Sequence, residues 1–410
     1  MRLPRLATTG GLAVLVAAAV LSACGDDSGG GTSASADSVV LTVMVPTDTK
    51  TPNFPGNVAA VRAAATAVND AGGINGKQIE IKVCNNNNDP NDSTKCAREA
   101  VKDKSVAVVG SFTLYGQQVT EILAAAKIPY VGFNGVTPAE YSCETCYPFD
   151  AGSALAFGGL PGGLLSQGVK SEVPVRLDIA ASAVNSQGVA AGAKAAGLEV
   201  KEDIKIGATS TDLAPAVQAI VGSGAQAAVS ILPNEATLAL IKAADQANAN
   251  VTLAVVDGQI QDGLSQITAS EEKRLFIVGA YPPVGAVAEY PGLARFAKEM
   301  DAAATAGNKD AKIRNSSNLR AWLSVHAVAQ VAKGVTGEIT PSSLLAAFGT
   351  AKDVDLFGIL PAWTPSAKGS VAGFERASNA RVFFLRLVDG KFVAATPLKG
   401  LDLNTRKPLT

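Results

Sequence analysis

The stretch CNNNNDPNDSTKC, residues 84–96, sets two cysteines twelve positions apart where an alternating apolar run, QIEIKV (78–83), ends. Thiolates can hold a metal, but a thiolate metal site usually shows Cys-x2-4-Cys spacing and nearby histidines, and this stretch has neither. A second pair, Cys143 and Cys146 in SCETCYP, has the spacing of a redox dithiol. That chemistry needs a strand before the motif and a helix dipole behind it to lower the first thiol's pKa, and here Pro148 follows at once with no helical pattern after it. A structural bridge or local staple is the other reading. The redox compartment decides between them.

That compartment is written at the start of the chain. Arg2 and Arg5 precede the apolar run GLAVLVAAAVLSA and then Cys24, the charged, apolar and small-residue regions of an export signal. The run is shorter than the roughly 18 apolar residues of a membrane span. LSAC, Leu21 to Cys24, resembles a bacterial lipobox, which implies a signal peptide over 1–23, lipidation of the Cys24 thiol and an extracytoplasmic protein anchored to the cell membrane. GDDSGGGTSASADS (25–38) is too polar and small to form a core, and with Cys24 it reads as a flexible tether over 24–38. In an oxidising place the other four cysteines fit two bridges, with Cys84 expected to pair with Cys96.

Catalysis has little to work with. His326 is the single histidine, set in the helical stretch LSVHAVAQV, where a packed or hydrogen-bonded role is expected. There is no G-x-S-x-G elbow and no histidine cluster for zinc. GGLPGGLLSQG (158–168) is glycine-rich but lacks the Lys-Ser/Thr ending of a phosphate loop. No cofactor or metal is expected. Beyond residue 23 the chain keeps 33 of its 35 basic residues against 36 acidic ones; no basic cluster or basic-aromatic face points to nucleic acid. With 47% hydrophobic and 17% charged residues, it is a globular chain long enough for two domains.

The elements that position these residues alternate in period. VVLTVMV (39–45) reads as a buried strand, and NVAAVRAAATAVNDAGG (57–73) as a helix stopped by Gly72 and Gly73. QIEIKV is a strand, followed by a helix from Asp92 or Ser93 that turns Cys96, Ala97, Ala100 and Val101 inward. SVAVVGS (105–111), a helix over Gln117–Ala126 and IPYVGF (128–133) continue the pattern. The result is a doubly wound parallel α/β unit. After the cysteine pair the rhythm restarts from VPVRLDIA through RLFIVGAYPP, giving a second such unit. Two late helices, 292–307 and 319–334, are expected to cover the first unit, and ARVFFLRLVDGKFVAA reads as a hairpin turning at Asp389-Gly390. The chain is thus expected to cross between lobes more than once.

This order, with AVNDAGGINGKQIEIKVCNNNNDP (67–90), AVVGSFTLYG (107–116) and IPYVGFN (128–134), resembles the periplasmic substrate-binding proteins of branched-chain amino acid ABC transporters. The resemblance spans about 39–395 and implies the type I, Venus-flytrap architecture: two doubly wound lobes with parallel sheets and three hinge crossings. It implies lobe one over 39–151 and 280–357, and lobe two over 152–279 and 358–410. It further implies a monomer that holds a small-molecule ligand, an amino acid or related amide or carboxylate, between the lobes for an ABC permease. A sensor for an envelope receptor, an extracytoplasmic hydrolase and a purely structural envelope lipoprotein are the competing readings.

Physical chemistry supports a site at the same place. VVGSFT puts Ser111, Phe112 and Thr113 at the carboxyl end of a strand and the expected start of a helix, where free N–H groups and the helix dipole favour an anion; Ser111 as a plain helix cap is the alternative. From the resemblance, Asn134, Gly135 and Thr137 would bond the ligand, and Asp257 in VVDG would meet its ammonium, with a plain strand-end turn as the alternative. Where the family carries an aromatic residue and a glycine, this chain has ASAVNSQG (181–188), with Asn185 and Ser186 as polar replacements. Phe54 and Tyr281 would supply apolar walls or pack locally.

Overall fold

SVVLTVMV is buried along its length after Ser38, as a central strand must be when helices cover both faces of its sheet. It forms β1 (Ser38–Val45), followed by α1 (Pro55–Asp70), β2 (Gln78–Asn85), α2 (Pro90–Lys102), β3 (Ala107–Val109), α3 (Gly116–Ala125), β4 (Tyr130–Val131), α4 (Pro138–Ser142) and β5 (Cys146–Tyr147). The strands make one all-parallel sheet in the order β2-β1-β3-β4-β5. The computed structural model describes residues 38–49, 52–207 and 210–409. The export signal, Cys24 and the tether up to residue 37 lie outside the described residues.

The second sheet is built from α5 (Gly152–Ser166), β6 (Ser171–Leu177), α6 (Ala180–Ala196), β7 (Glu199–Val200), β8 (Ile204–Ile206), α7 (Ala214–Gly222), β9 (Ala227–Ile231), α8 (Asn234–Gln246), β10 (Thr252–Val256), α9 (Ala269–Glu272) and β11 (Leu275–Gly279). Helices α10 (Pro291–Thr305), α11 (Ser316–Ala332) and α12 (Pro341–Thr350) follow, and both α10 and α11 pack on α1 of the first unit. The chain then returns to the second sheet as β12 (Arg381–Val388), β13 (Lys391–Ala394), β14 (Gly400–Asp402) and β15 (Pro408–Leu409). Its main order is β15-β14-β12-β11-β10-β9-β6-β7, with β8 beside β6 and β13 beside β12. From β12 onward the pairing is antiparallel. Asp389 and Gly390 both take positive φ between β12 and β13, which is what a two-residue hairpin turn of the right twist requires.

The passages between the sheets lie after β5, after β11 and before β12. The segment leading to the last passage stays with the first unit past residue 357. Trp363 pairs with Val354 and meets Phe149 and Phe348 edge-on and tilted; Arg376 donates to the Cys146 carbonyl and Asn379 to that of Phe149.

Three local features depart from the periodic reading. Helix α2 begins at Pro90 because Asp89 caps it, accepting from the N–H groups of Asn91 and Asp92. Val101 on that helix is 40% exposed, since the inward stripe is Ser93, Cys96, Ala97 and Ala100. The glycine-rich stretch 158–168 is the body of α5, with Pro161 inside it. Its glycines admit close neighbours: a Cβ at Gly163 would stand 2.4 Å from the Phe276 ring, and one at Gly192 of α6 would stand 2.2 Å from the Gly158 carbonyl oxygen. Helix α6 begins at Ala180, so Asn185 lies inside it.

Cys84 at the end of β2 is bridged to Cys96 in α2, and Cys143 to Cys146 in the turn between α4 and β5. The first bridge ties a helix to its own strand and closes a loop whose restriction in the unfolded chain contributes on the order of 3 kcal/mol. Neither pair has a free thiolate for metal or redox chemistry in this state.

Two carboxyls are buried inside this frame. Glu140 is fully buried, and burial pushes its pKa up to about 7 against the pull of the Val136 and Thr137 donors. Glu172 on β6 is fully buried with no partner for either oxygen among the described residues, and burial pushes it up to about 8. A carboxyl with a higher pKa in the folded than in the unfolded chain leaves the folded chain holding the extra proton. Stability is therefore greatest below the unfolded pKa and falls as pH rises through the folded one, here between about 4.5 and about 8 for Glu172. Replacing Glu172 by Met should raise Tm at pH 9 with little change at pH 4.5, an effect on the order of 3 kcal/mol. Parallel melting curves of the two proteins that kept a constant separation across that range would show the assignment wrong.

Candidate ligand-binding cleft

In parallel sheets the loops leaving the carboxyl ends of the strands, and the helix starts they feed, converge on one side. Here two such sides face each other and enclose a cavity of about 390 Å³. From the first unit come Phe54 before α1, Phe112 and Leu114 after β3, Asn134 after β4, and Ser316, Ser317 and Arg320 at the start of α11. From the second come Phe157 of α5, Ile179 and Asn185 at α6, Leu232 and Asn234 at α8, and Asp257, Gly258, Gln261 and Asp262 after β10. The rings of Phe54 and Phe112 lie 4.8 Å apart and form one apolar wall.

Of the residues expected from sequence, the structure brings Phe54, Phe112, Asn134, Asn185 and Asp257 to the cavity. Ser111 and Thr113 stand behind it, each 1% exposed. The Ser111 hydroxyl accepts from the Met44 N–H at 2.9 Å and donates to the Val109 carbonyl at 3.0 Å. Thr113 shares a hydrogen bond with Ser93 and accepts from the Tyr115 N–H. The physical reason is that α3 starts at Gly116, beyond both residues: the Ser111 hydroxyl is taken up by β1 and β3, and that of Thr113 by α2 and the turn before α3. Gly135 lies under the Tyr141 ring, whose hydroxyl donates to the Gly135 and Ala151 carbonyls. Thr137 caps α4, its hydroxyl donating to Glu140. Ser186 bonds Asp203. Tyr281 is buried outside the cavity and donates to Asp150. His326 lies between Trp322 and Phe357 and bonds Glu299 at 2.9 Å; burial lowers its pKa while Glu299 opposes the shift.

The polar floor of the cavity is Asp257 with Arg320. Asp257 accepts from its neighbour's N–H, Gly258, at 2.8 Å and shares the cavity wall with Ser316 of the opposite unit. Burial pushes its carboxyl above the usual range, opposed by Ser316, the Arg320 charge and Gly258, and reinforced by Asp150. Arg320 is 4% exposed and grips Asp150 through Nε at 2.7 Å and Nη2 at 3.2 Å. Burial acts to lower the Arg320 pKa, but Asp150 and the nearby phenols outweigh it, so the guanidinium stays charged. Asp262, at the other end of the same loop, is also raised by burial.

Arg320 and Ser316 line the cavity and were not foreseen from the sequence. A signal existed: in the largely apolar stretch LRAWLSVHAVAQV the arginine is the one residue with a permanent charge, and a cation buried on such a helix must have a partner. Gln259, also unforeseen, braces the floor by accepting from the Val256 N–H and donating to the Ser230 and Leu232 carbonyls.

Comparison of the sequence with curated proteins finds no match. Among solved structures, the fatty acid ABC transporter substrate-binding protein from Thermomonospora curvata superposes with a TM-score of 0.74 at 15% identity, over 93% of this chain and 97% of that one. An extracellular ligand-binding receptor from Verminephrobacter eiseniae gives 0.71 at 18% identity, over 87% and 99%. A solute-binding protein of an ABC transporter from Rhodopseudomonas palustris, in complex with p-hydroxybenzoic acid, gives 0.70 at 18%, over 90% and 98%. At such identities the likeness is one of fold. The sequence profile described as periplasmic binding protein matches residues 46–375. With that match over most of its length and two doubly wound lobes facing across a cavity, the chain belongs to the periplasmic binding protein family.

Proposed function

We propose that the protein captures a small amphipathic solute carrying an ammonium group, an apolar amino acid or related amide, and presents it to an ABC permease when the lobes are closed. The observation that carries this reading is the Asp257 carboxyl of one lobe, open to an apolar-walled cavity that Ser316 of the other lobe also lines. A cation placed there is held by a charge-assisted bond at the point where the lobes meet, so binding and closure stabilise each other. The apolar body would lie between Phe54 and Phe112 on one side and Ile179 and Leu232 on the other. The starts of α8 and α11 reach the cavity at Asn234 and Ser316, and their dipoles favour the carboxylate of a zwitterion.

A second reading, an aromatic or fatty carboxylate, is favoured by the breadth of the apolar wall, which Phe157 and Leu114 extend, and by the ligand names of the Thermomonospora curvata and Rhodopseudomonas palustris proteins. The two readings respond oppositely to pH. Asp257 loses its proton above the usual carboxylate range, so an ammonium ligand should bind more tightly as pH rises through that point and a simple carboxylate more weakly. Calorimetry of apolar amino acids and aryl carboxylates between pH 4 and 8 is expected to show the first trend. Replacing Asp257 by Asn should weaken an amino acid about ten- to a hundredfold. Ser111→Ala should instead cost about 1–3 kcal/mol of stability, because the Met44 N–H loses its partner, and leave affinity within about threefold of the original. A large affinity loss in S111A at unchanged Tm would return that hydroxyl to the site.

Membrane attachment through Cys24, and with it the removal of residues 1–23, belongs to the same proposal, supported by the LSAC motif and the polar tether. Intact mass of protein extracted from its native membrane should show a chain beginning at a lipidated Cys24; an unmodified chain starting elsewhere would remove the anchor from this account.

A further inference from the structure

The cavity floor brings together one cation and one anion, Arg320 and Asp257, yet the two are not each other's main partners. Arg320 turns its Nε and Nη2 away from Asp257 and onto both oxygens of Asp150, at 2.7 and 3.2 Å. Asp150 does not line the cavity. It sits 2% exposed on the first passage between the lobes, where it also accepts from the Gly152 N–H at 2.7 Å and from the Tyr281 hydroxyl. Tyr281 follows β11 on the second passage, and the Arg320 guanidinium lies 5.3 Å from the centre of its ring.

We infer that Asp150, a residue the solute never touches, sets the charge preference of the site by neutralising Arg320 from behind the wall. A paired, buried guanidinium presents no net charge to the cavity, which leaves Asp257 and Asp262 as the uncompensated groups lining it. The same arginine without Asp150 would be an anion-binding group of the kind that recognises carboxylates in planar geometry. Asp150 is thus a positioning residue with an electrostatic role: it fixes the guanidinium in place and cancels its charge. The inference rests on the proposed ammonium reading for the wild-type preference, but the charge of Arg320 can be tested without it.

Two probes of equal apolar body decide the matter, 3-phenylpropylamine and 3-phenylpropanoate, measured by thermal shift and calorimetry on the whole exported chain. In Asp150→Asn the affinity for 3-phenylpropanoate should rise at least tenfold over wild type, and in Asp150→Glu, which keeps the charge, it should not. A folded D150N with unchanged carboxylate affinity, or a D150E with the same gain as D150N, would overturn the inference, because loss of a merely structural contact does not select for an anion. If D150N does not fold, Asp257→Asn decides from the other side. With Arg320 already neutralised and Asp262 still lining the cavity, D257N should show no preference for the carboxylate over the amine. A D257N that prefers the carboxylate more than tenfold would reveal Arg320 as a free cation and refute the assignment. Failure of wild type to bind the amine would count against the ligand proposed above; the carboxylate comparison between wild type and D150N would still decide the role of Asp150.

Discussion

The structure depends on how one carboxylate is satisfied. Asp150 ends the first lobe's run of strands and α5 begins two residues later, so its side chain lies where the chain first passes between the lobes. Almost fully buried, its carboxyl needs several donors. It takes them from the N–H of Gly152, from Tyr281 on the second passage and from Arg320 on a helix of the first lobe. Such a cluster is a weak source of net stability, since desolvating both charges costs about as much as their attraction returns. Its effect is geometric. Two passages that are 131 residues apart in sequence are held to one oxygen, and the start of α11 is held beside them.

From that fixed point the cavity follows. Helix α11 carries Ser316, Ser317 and Arg320 on its first turns, and α5 carries Ser153, whose N–H and hydroxyl both reach Asn134 Oδ1. Asn134 leaves β4 on the first sheet and Ser153 belongs to the first passage, so the loop that lines the cavity is tied to the passage that bends. The remaining walls are built on strand ends whose helices pack closely because they are made of small residues. Gly159 and Gly163 of α5 press on Val382 and Phe276, and Gly158 meets Gly192 of α6. Larger side chains at these positions would push α5 off its sheet and take Ala156 and Phe157 out of the cavity wall.

The architecture was legible where periodicity and burial coincide. The strands around 39–45, 78–83 and 252–256, the two late helices and the Asp389-Gly390 hairpin are fixed by local pattern and by which face must be covered. Site residues were legible only where the backbone alone decides them. Phe54, Phe112, Asn134 and Asp257 follow directly on strand ends or precede a helix, so their place at the cleft is a property of topology. Ser111 and Thr113 share that address but not that role, because the Ser111 hydroxyl ties β1 to β3 and the Thr113 hydroxyl serves the turn before α3. Helix α5 escaped notice because glycine and proline mark turns in isolation, whereas here tertiary packing demands a helix with glycines where its neighbours come closest. Arg320 escaped for the complementary reason: its significance lies in a partner 170 positions away.

The distinction between front and back of the cavity bears on what a solute-binding protein must do. A site that bound its solute through a free arginine would keep a strong charge exposed whenever the lobes parted, and any small anion in the surroundings would compete for it. Pairing Arg320 to Asp150 removes that competition and leaves recognition to groups that are incomplete until the lobes meet. Asp257 belongs to one lobe and Ser316, which lines the same cavity, to the other, so in the proposed function the floor is complete only in the closed arrangement. The solute then supplies what the floor still lacks, and its contribution is made at the contact between lobes rather than to either lobe alone. In the proposed function, occupancy and closure would become one equilibrium, the property a partner reading the shape of this protein would require.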